Sequence, residues 1–352
     1  MPSKTDHSVV TVQDIARELG LSPSSVSAVL TGQHVKRRIA SQTVERVLAV
    51  AKRLRYVPNI TARNLRAKTS RTKHVVLSLL TSYEAPLFLV SQALHALERG
   101  IAQRGEATAI YSVNMEFFHA GQLSTLSGLS DGHRCNGAIV TNTLDVDDQF
   151  LAASKLPFPV VLLGRRISGY PSVSAKSEII GRKAAEILIE AGRRKLAVLQ
   201  PAVLTQATRS RFAAFFSTVE QAVGMSPLMI TCENLQEKAG YDAMRRFLGF
   251  NPSCDGIFAI SDGLAIGAYL AIKDSGRTIP GDIAMVGVGD NPASCYLDPP
   301  LTCFESAEGA QHEAAARLLL GLVNGAAPTN LVIDVPVSPL LRESTGHRRI
   351  SQ

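Results

Sequence analysis

From residue 73 onward the sequence alternates short, wholly apolar runs with amphipathic segments of helical length, and this alternation restricts the fold more than any other feature. Strands that are apolar throughout and alternate with helices are typical of parallel sheets covered on both faces. Because these runs are too many for one compact lobe, the sequence predicts two doubly wound α/β lobes. The predicted strands are VVLSLL (75–80), ATAIYSV (107–113), GAIVTN (137–142), PVVLLG (159–164), KLAVLQ (195–200), LMITC (228–232), GIFAIS (256–261) and IAMVGVG (283–289). The predicted helices are Phe88–Arg104, Ile179–Ala191, Arg209–Val223, Ala239–Leu248 and Leu264–Ser275.

Composition excludes several classes of protein. With 352 residues, 45% hydrophobic and 19% charged, the chain can form packed cores, and wholesale disorder is excluded. The sequence contains no apolar run of membrane-spanning length, and its N-terminus has no signal core. We therefore expect a cytoplasmic protein. The five cysteines include no C-x-x-C pair, which favours reduced thiols over disulfides or a zinc site.

Positive charge is concentrated at the N-terminus. Residues 1–73 contain 14 Lys and Arg against 4 Asp and Glu, whereas the rest contains 23 basic and 26 acidic residues. A basic head on a nearly neutral body is typical of nucleic-acid binding. The alternative is a basic tail that only improves solubility, and the pattern within the head favours the first interpretation.

Three short helices are predicted in this head. Thr11 and Asp14 form a capping-box start, and Gly20 ends the first helix. Ser22-Pro23 caps a second helix after only about two residues, which is helix-turn-helix geometry. A third helix is predicted from about Ser41. The expected core is Ile15, Leu19, Val26, Val29, Val47 and Leu48.

The second helix is the element that a helix-turn-helix presents to the major groove of DNA. Its expected outward side chains are small: serine hydroxyls can bond either base edge, and an alanine methyl can touch thymine. Basic residues in the following connection are expected to meet phosphates, which position a protein without specifying sequence. These candidates are Pro23, Ser24, Ser25, Ser27 and Ala28 on the helix, and Lys36, Arg37 and Arg38 in the connection.

Pro58 must interrupt the third helix, because proline lacks the amide donor and crowds the preceding turn. The stretch from Asn59 to about Ala67 is too short to persist as an isolated helix. It is either a flexible linker or a segment that folds only with DNA and a second copy of itself.

The segments TVQDIARELGLSPSSVSAVL and VERVLAVAKRLRYVPNITARNLR, with the signature Y-x-P-N-x-x-A-R-x-L, resemble the headpiece of the LacI/GalR (lactose-repressor-like) transcription regulators. The resemblance implies a dimer whose paired hinge helices lie in the minor groove, with Leu65 of each subunit wedged at the operator centre. The sequence departs from the family at Ala28, where arginine is frequent, and in a longer connection before Ser41. The further DNA contacts expected on this basis are Thr11, Ser22, Tyr56, Asn59, Ala62, Arg63, Leu65 and Arg66.

The resemblance also implies a core like that of periplasmic sugar-binding proteins, with chain crossings between the lobes near Pro171–Ser177, Thr302–Glu305 and Pro336–Leu340. The expected units are a helix-turn-helix headpiece (1–58), a hinge helix or linker (59–72) and an effector-binding and dimerisation core (73–352). Within the core, the N-lobe is expected at about 73–174 and 305–336, and the C-lobe at about 175–302 and 340–352. Ligands of such sheets bind beyond the C-terminal ends of the strands, which here is the cleft between the lobes.

By position in the family, the expected effector-binding residues are Phe88, Lys176, Arg211, Ser261, Asp262 and Asp290. Phe88 is either a stacking face or core, and Asp262 either binds ligand or caps the next helix. Acceptors suited to sugar hydroxyls are missing at Gly289 and Lys176, while Lys176 and Arg211 are positive. We therefore expect an anionic effector, such as a sugar acid or phosphorylated metabolite. The alternative is a degenerate cleft, with control by a partner protein or none.

No sequence pattern indicates catalysis. The sequence has no P-loop, H-E-x-x-H or G-x-S-x-G motif, and its eight histidines are scattered. We expect the acidic run Asp145, Asp147 and Asp148 to be a solvated loop. A solute-binding protein or an enzyme is a remote alternative, and no cofactor or metal is predicted.

The sequence thus predicts a transcription regulator, as a repressor, that binds a pseudo-palindromic operator in double-stranded DNA and responds to a small-molecule effector. We expect it to associate with the nucleoid through DNA and to have no membrane contact. A homodimer is expected rather than a tetramer, since no heptad repeat follows the Leu-Leu-Arg-Glu-Ser-Thr segment (340–345). Whether the effector induces or corepresses is left open.

Overall fold

The computed structural model describes residues 10–30, 34–35, 37–54, 56, 73–105, 109–126, 129, 135–250, 253–289, 291–305 and 308–347. The predicted hinge segment, 59–72, lies outside these residues. So do seven of the candidate site residues: Lys36, Asn59, Ala62, Arg63, Leu65, Arg66 and Asp290.

The headpiece (the described residues from 10 to 56) has the three predicted helices: α1 (Val12–Leu19), α2 (Pro23–Leu30) and α3 (Ser41–Arg53). The predicted capping box is present, because the Thr11 hydroxyl accepts from the Asp14 amide and the Asp14 carboxylate accepts from the Thr11 amide. Gly20, at φ 64°, ends α1 in the left-handed conformation that glycine adopts without strain. Ser22 begins α2 by accepting from the Ser25 amide at 3.1 Å.

The headpiece core differs from the prediction at one position. Ile15, Val26 and Val47 are fully buried, as expected, but Leu48 is 50% exposed. The packed stripe of α3 runs through Val47 and Ala51. At 100° per residue, Leu48 falls at the margin of that stripe and faces solvent.

The rest of the described chain forms two α/β lobes, which confirms the predicted fold class. The first-lobe elements are β1 (Lys73–Ser82), α4 (Leu87–Arg104), β2 (Ala109–Phe118), β3 (Gly137–Thr141), α5 (Asp145–Ala153), β4 (Val160–Leu163), β5 (Ser172–Ala175), α10 (Glu308–Val323) and β11 (Val332–Val335). The second-lobe elements are α6 (Ser177–Glu190), β6 (Leu196–Pro201), α7 (Gln206–Val223), β7 (Leu228–Cys232), α8 (Glu237–Gly249), β8 (Gly256–Ala259), α9 (Asp262–Asp274), β9 (Ala284–Val288), β10 (Thr302–Glu305) and β12 (Ser338–Leu340).

Each lobe has one sheet within the described residues. The first sheet has the strand order β11-β5-β4-β3-β1-β2 and its pairs are parallel. The second has the order β12-β10-β9-β8-β6-β7, with β12 antiparallel to β10. Each sheet therefore combines strands from separate parts of the sequence, because the chain crosses between the lobes after β5, β10 and β11.

Alternation along β1 explains why its sequence is apolar throughout. Leu77 and Leu79 pack with Leu97 of α4 and Leu319 of α10, on one face of the sheet. Leu80, pointing the other way, packs with a separate cluster that includes Leu151 of α5. Both faces of the strand are thus buried under helices, as predicted for a parallel sheet. No helix in the described part of the chain is long and apolar enough to span a membrane.

The interpretation of the acidic run as a solvated loop is wrong. Asp145, Asp147 and Asp148 form the first turn of α5, and Asp147 is 1% exposed. The Asp147 carboxylate accepts hydrogen bonds from the amides of Gly121, Leu123 and Leu144 at 2.8–2.9 Å. Carboxylates are favoured at a helix N-terminus, where they satisfy amides that have no partner within the helix.

Candidate functional site

The first candidate site is the outer surface of α2. Ser22, Pro23 and Ser24 are exposed, and Ser25 and Ser27 are half-buried. The Ser22 hydroxyl lies 2.9 Å from that of Ser24 and 2.8 Å from that of Ser25. The N-terminus of α2 thus presents a cluster of hydroxyl groups, each able to donate or accept at a base edge.

Ala28 is a correction to this surface. It is 3% exposed, so its methyl group is not presented outward as predicted, although it is not a member of the apolar cluster formed by Ile15, Val26 and Val47. A side chain of one carbon is readily covered by the atoms around it. In this conformation Ala28 does not offer a contact to thymine.

The remaining described candidates lie in other parts of the headpiece. Arg37 and Arg38 are exposed, as a phosphate contact requires. Tyr56 is half-buried and packs against the headpiece core. Thr11 is exposed at the start of α1, where its hydroxyl is occupied in the capping box.

The second candidate site is a cavity of about 550 Å³ between the two lobes. The carboxyl ends of strands from both sheets and the N-termini of α4, α6, α7, α8 and α9 line it. Four predicted effector residues line this cavity: Phe88, Arg211, Ser261 and Asp262. This is the edge of a parallel sheet where loops, not side chains of the core, determine what can bind.

Lys176 does not line the cavity, contrary to its prediction as an effector contact. Its neighbours Ala175 and Ser177 line it, while Lys176 is exposed to solvent. Side chains alternate in direction along an extended segment, so two residues that face the cavity turn the residue between them outward. Of the two positive residues on which the expectation of an anionic effector depends, Lys176 therefore lies outside the cavity and Arg211 lies in its wall.

Arg211 is positioned by the helix below it. Phe215, one turn further along α7, is fully buried. Its ring stacks on that of Phe258 of β8, with 4.9 Å between the ring centroids. This anchor orients α7 so that Arg211 reaches the cavity, where its Nη1 donates to the Ile260 carbonyl at 3.1 Å. The R-x-x-x-F spacing thus has a packing residue at one end and a cavity residue at the other.

Ser261 and Asp262 have different structural roles. Ser261 is the N-cap of α9, accepting from the Leu264 amide. The Asp262 carboxylate accepts from the Asn291 amide at 2.5 Å and from the Ser294 hydroxyl at 3.3 Å, and so holds the turn after β9. Gly289 permits this approach, since its φ is 134° and a Cβ there would lie 3.3 Å from the Asp262 carboxyl carbon.

Arg165 is a cavity residue that the sequence reasoning missed. It is 2% exposed, and its Nη1 donates to Asp148 at 2.6 Å, while the Thr143 hydroxyl donates to the same carboxylate oxygen. Burial lowers the pKa of Arg165, against the attraction of Asp148. Two consecutive arginines, Arg165 and Arg166, directly follow the apolar run PVVLLG. Charged residues at the end of a predicted strand are a signal that could have identified this position.

Other polar lining residues were also missed, namely Asn142, Glu237, Gln311 and His312. Asn142 has a positive φ of 56°, and its side-chain amide donates to the Thr81 hydroxyl. Gln311 accepts from the Ala175 amide at 3.1 Å, and so ties α10 to the crossing strand. No group of three metal-ligating side chains occurs in the described ranges.

Comparisons with known proteins agree with this architecture. The family model described as "Bacterial regulatory proteins, lacI family" matches residues 11–59, and that described as "Periplasmic binding protein-like domain" matches residues 185–345. The chain is 24% identical over 346 residues to the HTH-type transcriptional repressor PurR of Pasteurella multocida, which covers 97% of this chain and 100% of that protein. It is 26% identical over 337 residues to the ribose operon repressor of Bacillus subtilis, which covers 96% and 99%.

A solved structure of the lac repressor dimer bound to operator and the anti-inducer ONPF has the same fold, with a TM-score of 0.68 and 24% identity over 96% of this chain and 99% of that chain. Both of these relatives are named as repressors, which agrees with the prediction of a regulator rather than an enzyme. The chain therefore has a DNA-binding domain of the lacI family at residues 11–59 and a periplasmic-binding-protein-like domain at residues 185–345.

Proposed function

We propose that the chain is a transcriptional repressor that binds double-stranded operator DNA as a homodimer, under the control of a small anionic effector in the inter-lobe cavity. The observation that supports it best is the presence, in one chain, of a helix-turn-helix with a hydroxyl-rich exposed helix and of a 550 Å³ cavity lined by both lobes.

On the DNA side, the proposed roles follow from exposure and chemistry. Ser22, Ser24 and Ser25 contact base edges in the major groove, and Arg37 and Arg38 contact phosphates. Lys36 joins them as a phosphate contact. The segment with Asn59, Ala62, Arg63, Leu65 and Arg66 enters the minor groove, with Leu65 as the wedge.

Genome-wide binding of the full chain tests this proposal. We expect the bound sequences to align on a pseudo-palindrome, since a twofold dimer presents two copies of α2. Leu65→Ala should weaken binding to such a site while the thermal unfolding midpoint stays unchanged. Indifference to every double-stranded oligonucleotide at low salt would overturn the proposed DNA binding.

The proposal of an anionic effector is supported by the convergence of helix N-termini. Five helices begin at the cavity, and each N-terminus carries a partial positive charge and amides that point along the helix axis. Arg211 adds a full positive charge at the same surface. The charge of Arg165 is balanced by Asp148, whereas Glu237 and Asp262 add negative charge, so the anionic group is proposed to lie near Arg211.

Matched pairs of candidate ligands test this point, each pair sharing one sugar skeleton and differing in the presence of an anionic group: a sugar with its sugar acid, and a sugar with its phosphate. We expect the charged member to raise the melting temperature, because a ligand at 100 times its Kd adds about 2.7 kcal/mol to stability. Arg211→Ala should abolish this shift and Arg182→Ala, which removes an exposed arginine of α6, should not. Shifts from neutral sugars alone would contradict the anionic proposal, and no shift from any ligand would favour control by a partner protein.

The proposed dimer contact is a groove on the first lobe. It has a volume of about 540 Å³ and lies between α4 and the edge strand β2. We call it the first-lobe groove. The residues that line it are mostly apolar: Leu94, Glu98, Ile101, Ala102, Tyr111, Val113 and Met115. The lac repressor structure of the same fold is described as a dimer.

A further inference from the structure

We infer that Asp145, Gln206 and Arg209 are positioning residues that form an inter-lobe clasp, which holds the two walls of the cavity at a set separation in the absence of ligand. The clasp joins side chains at the start of α7, in the second lobe, to the start of α5 and the chain after β4, in the first lobe. It adds non-covalent contacts to the chain crossings that also connect the lobes.

The first part of the clasp is an ion pair. Arg209 Nη1 donates to Asp145 Oδ2 at 2.8 Å, and Arg209 Nη2 donates to Asp145 Oδ1 at 2.6 Å. Two parallel bonds from a planar guanidinium to a carboxylate fix orientation as well as distance. In agreement, the hydrogen bond from Arg209 lowers the pKa of Asp145, so the carboxylate is ionised at neutral pH.

The second part uses the backbone. The Gln206 Oε1 accepts from the Arg166 amide at 2.8 Å, and the Gln206 Nε2 donates to the Arg166 carbonyl at 3.3 Å. Gln206 and Arg209 are three residues apart, so they lie on one face of α7. A neutral side-chain amide and a charged side chain thus hold the same face of one helix against the other lobe.

The clasp is directly linked to the cavity. Arg166 follows Arg165, and Asp145 shares a turn of α5 with Asp148, which holds Arg165 in the cavity wall. On the opposite wall, Arg211 is two residues from Arg209 on α7. Clasp formation therefore sets the separation of Arg165 and Arg211.

Half exposure makes this clasp reversible. The side chains of Arg209 and Asp145 are 48% and 57% exposed, so salt screens their attraction. Exposed pairs inside one helix, such as Lys238–Asp242 of α8, make comparable contacts but connect no separate bodies. Loss of the Asp145–Arg209 pair should therefore change the openness of the cleft, whereas loss of the Lys238–Asp242 pair should not.

A single introduced tryptophan can report on the cleft, because the chain has none. Phe88→Trp places it at a half-buried position in the cavity wall. In the ligand-free full chain, Asp145→Arg should red-shift its emission and raise its quenching by acrylamide. Coupling energies of exposed ion pairs correspond to a change of about two- to fivefold in the open population. The double reversal Asp145→Arg with Arg209→Asp should restore the parent value, which a simple loss of packing would not allow.

Salt and control variants complete the test. Raising the ionic strength to about 1 M should increase quenching in the parent, because salt screens the attraction between Asp145 and Arg209. It should not increase quenching in Asp145→Arg, because there salt screens a repulsion between two arginines. Gln206→Ala should add to the effect at every salt concentration, and Lys238→Glu should change nothing. Tyr83→Trp is a second reporter in the cavity wall, for use if Phe88→Trp lowers the melting temperature. The variants should then rank in the same order of quenching. Equal quenching in the parent and Asp145→Arg, or no restoration by the double reversal, would overturn the clasp. The test uses neither DNA nor effector, so its outcome is independent of the proposed function.

Discussion

At the scale of single residues, the buried pair of Arg165 and Asp148 shows how a charge can be placed in the wall of a cavity. Arg165 is 2% exposed and the Asp148 side chain 16% exposed. Removing two charges from water is costly, and the attraction between them offsets that cost only when further hydrogen bonds complete the site. The Thr143 hydroxyl supplies one such bond. The pair therefore adds little to the free energy of unfolding, but removal of one partner destabilises the fold strongly.

Asp148→Asn should destabilise the protein by about 3–5 kcal/mol, because it leaves the Arg165 charge buried without its counter-ion. Urea unfolding followed by circular dichroism measures this loss. The matched control is Asp242→Asn in the exposed Lys238–Asp242 pair, which should leave the free energy of unfolding almost unchanged. Equal effects of the two variants would show that Arg165 is not an enclosed charge.

The capping box of α1 gives a pH dependence with a definite sign. The pKa of Asp14 is lowered, first by the hydrogen bond from the Thr11 hydroxyl and then by that from the Thr11 amide. A carboxyl group whose pKa is lower in the folded state stabilises the fold at pH values above its ordinary pKa of 3.8. This contribution is lost as the pH falls through the lowered pKa of the folded state. We expect α1 amides of the full chain to be better protected from hydrogen exchange than those of Asp14→Asn at neutral pH. This difference should disappear in acid, and a difference that persists there would contradict the cap as its cause.

At the scale of elements, the helices of the second lobe approach so closely that glycine is needed where they cross. Gly181 of α6 lies against the backbone of α7, where an added Cβ would overlap the Arg211 carbonyl oxygen. Gly267 of α9 lies in the same way against the Glu237 carbonyl of α8. Neither position has a positive φ, so the requirement is for space between helices.

Gly181→Ala should destabilise the protein by about 1–3 kcal/mol, the usual cost of overpacking, and should also displace Arg211 from the cavity wall. Chemical denaturation measures the first effect, and loss of the ligand-induced melting shift measures the second. Gly249→Ala is the control, since the end of α8 has open space around it and alanine favours a helix. That variant should be neutral or slightly stabilising. If Gly181→Ala behaves in the same way, α6 and α7 do not approach as closely as described.

The elements also show what could be predicted from sequence. The cap of α1 and the strand β1 were predictable, since one depends on neighbouring residues and the other on an uninterrupted apolar run. The strand β5 was missed because its buried Ser172 and Ser174 are polar, and only the neighbouring strands make them interior. The position of Arg165 was missed for a similar reason, since its partner Asp148 comes from α5, which was interpreted as a loop. Lys176 was misplaced because a family position does not fix the direction of a side chain.

At the scale of the whole molecule, positive charge is segregated into a domain separate from the cavity. Arg37 and Arg38 are exposed in the headpiece, and we expect them to displace counter-ions from DNA. Arg37→Ala and Arg38→Ala should each reduce the slope of log K against log salt by about 1, with similar losses for all DNA sequences. Arg182→Ala, on α6 of the core, should leave the slope unchanged. A loss confined to one operator sequence would instead make the arginine a base contact.

Two headpieces must act together for a pseudo-palindromic operator to be bound tightly, so the proposed dimer contact should control DNA affinity from a distance. Met115, on the edge strand β2, is 40% exposed and lines the first-lobe groove. Met115→Asp places a charge in an apolar contact and should halve the mass measured by light scattering. Because the second headpiece then no longer binds as part of one body, operator affinity should fall by about 10²–10⁴-fold, while binding of a single half-site stays the same.

Val332→Asp provides the matched control for the dimer contact. Val332 is 49% exposed on β11, the opposite edge strand of the same sheet, so a charge there tests the general cost of an edge-strand aspartate. This variant should remain dimeric and bind the operator normally. A Met115→Asp protein that is still dimeric would place the contact on another surface. A monomeric one with undiminished operator affinity would show instead that each headpiece binds on its own, since twofold pairing is the only reason for the groove to affect DNA affinity.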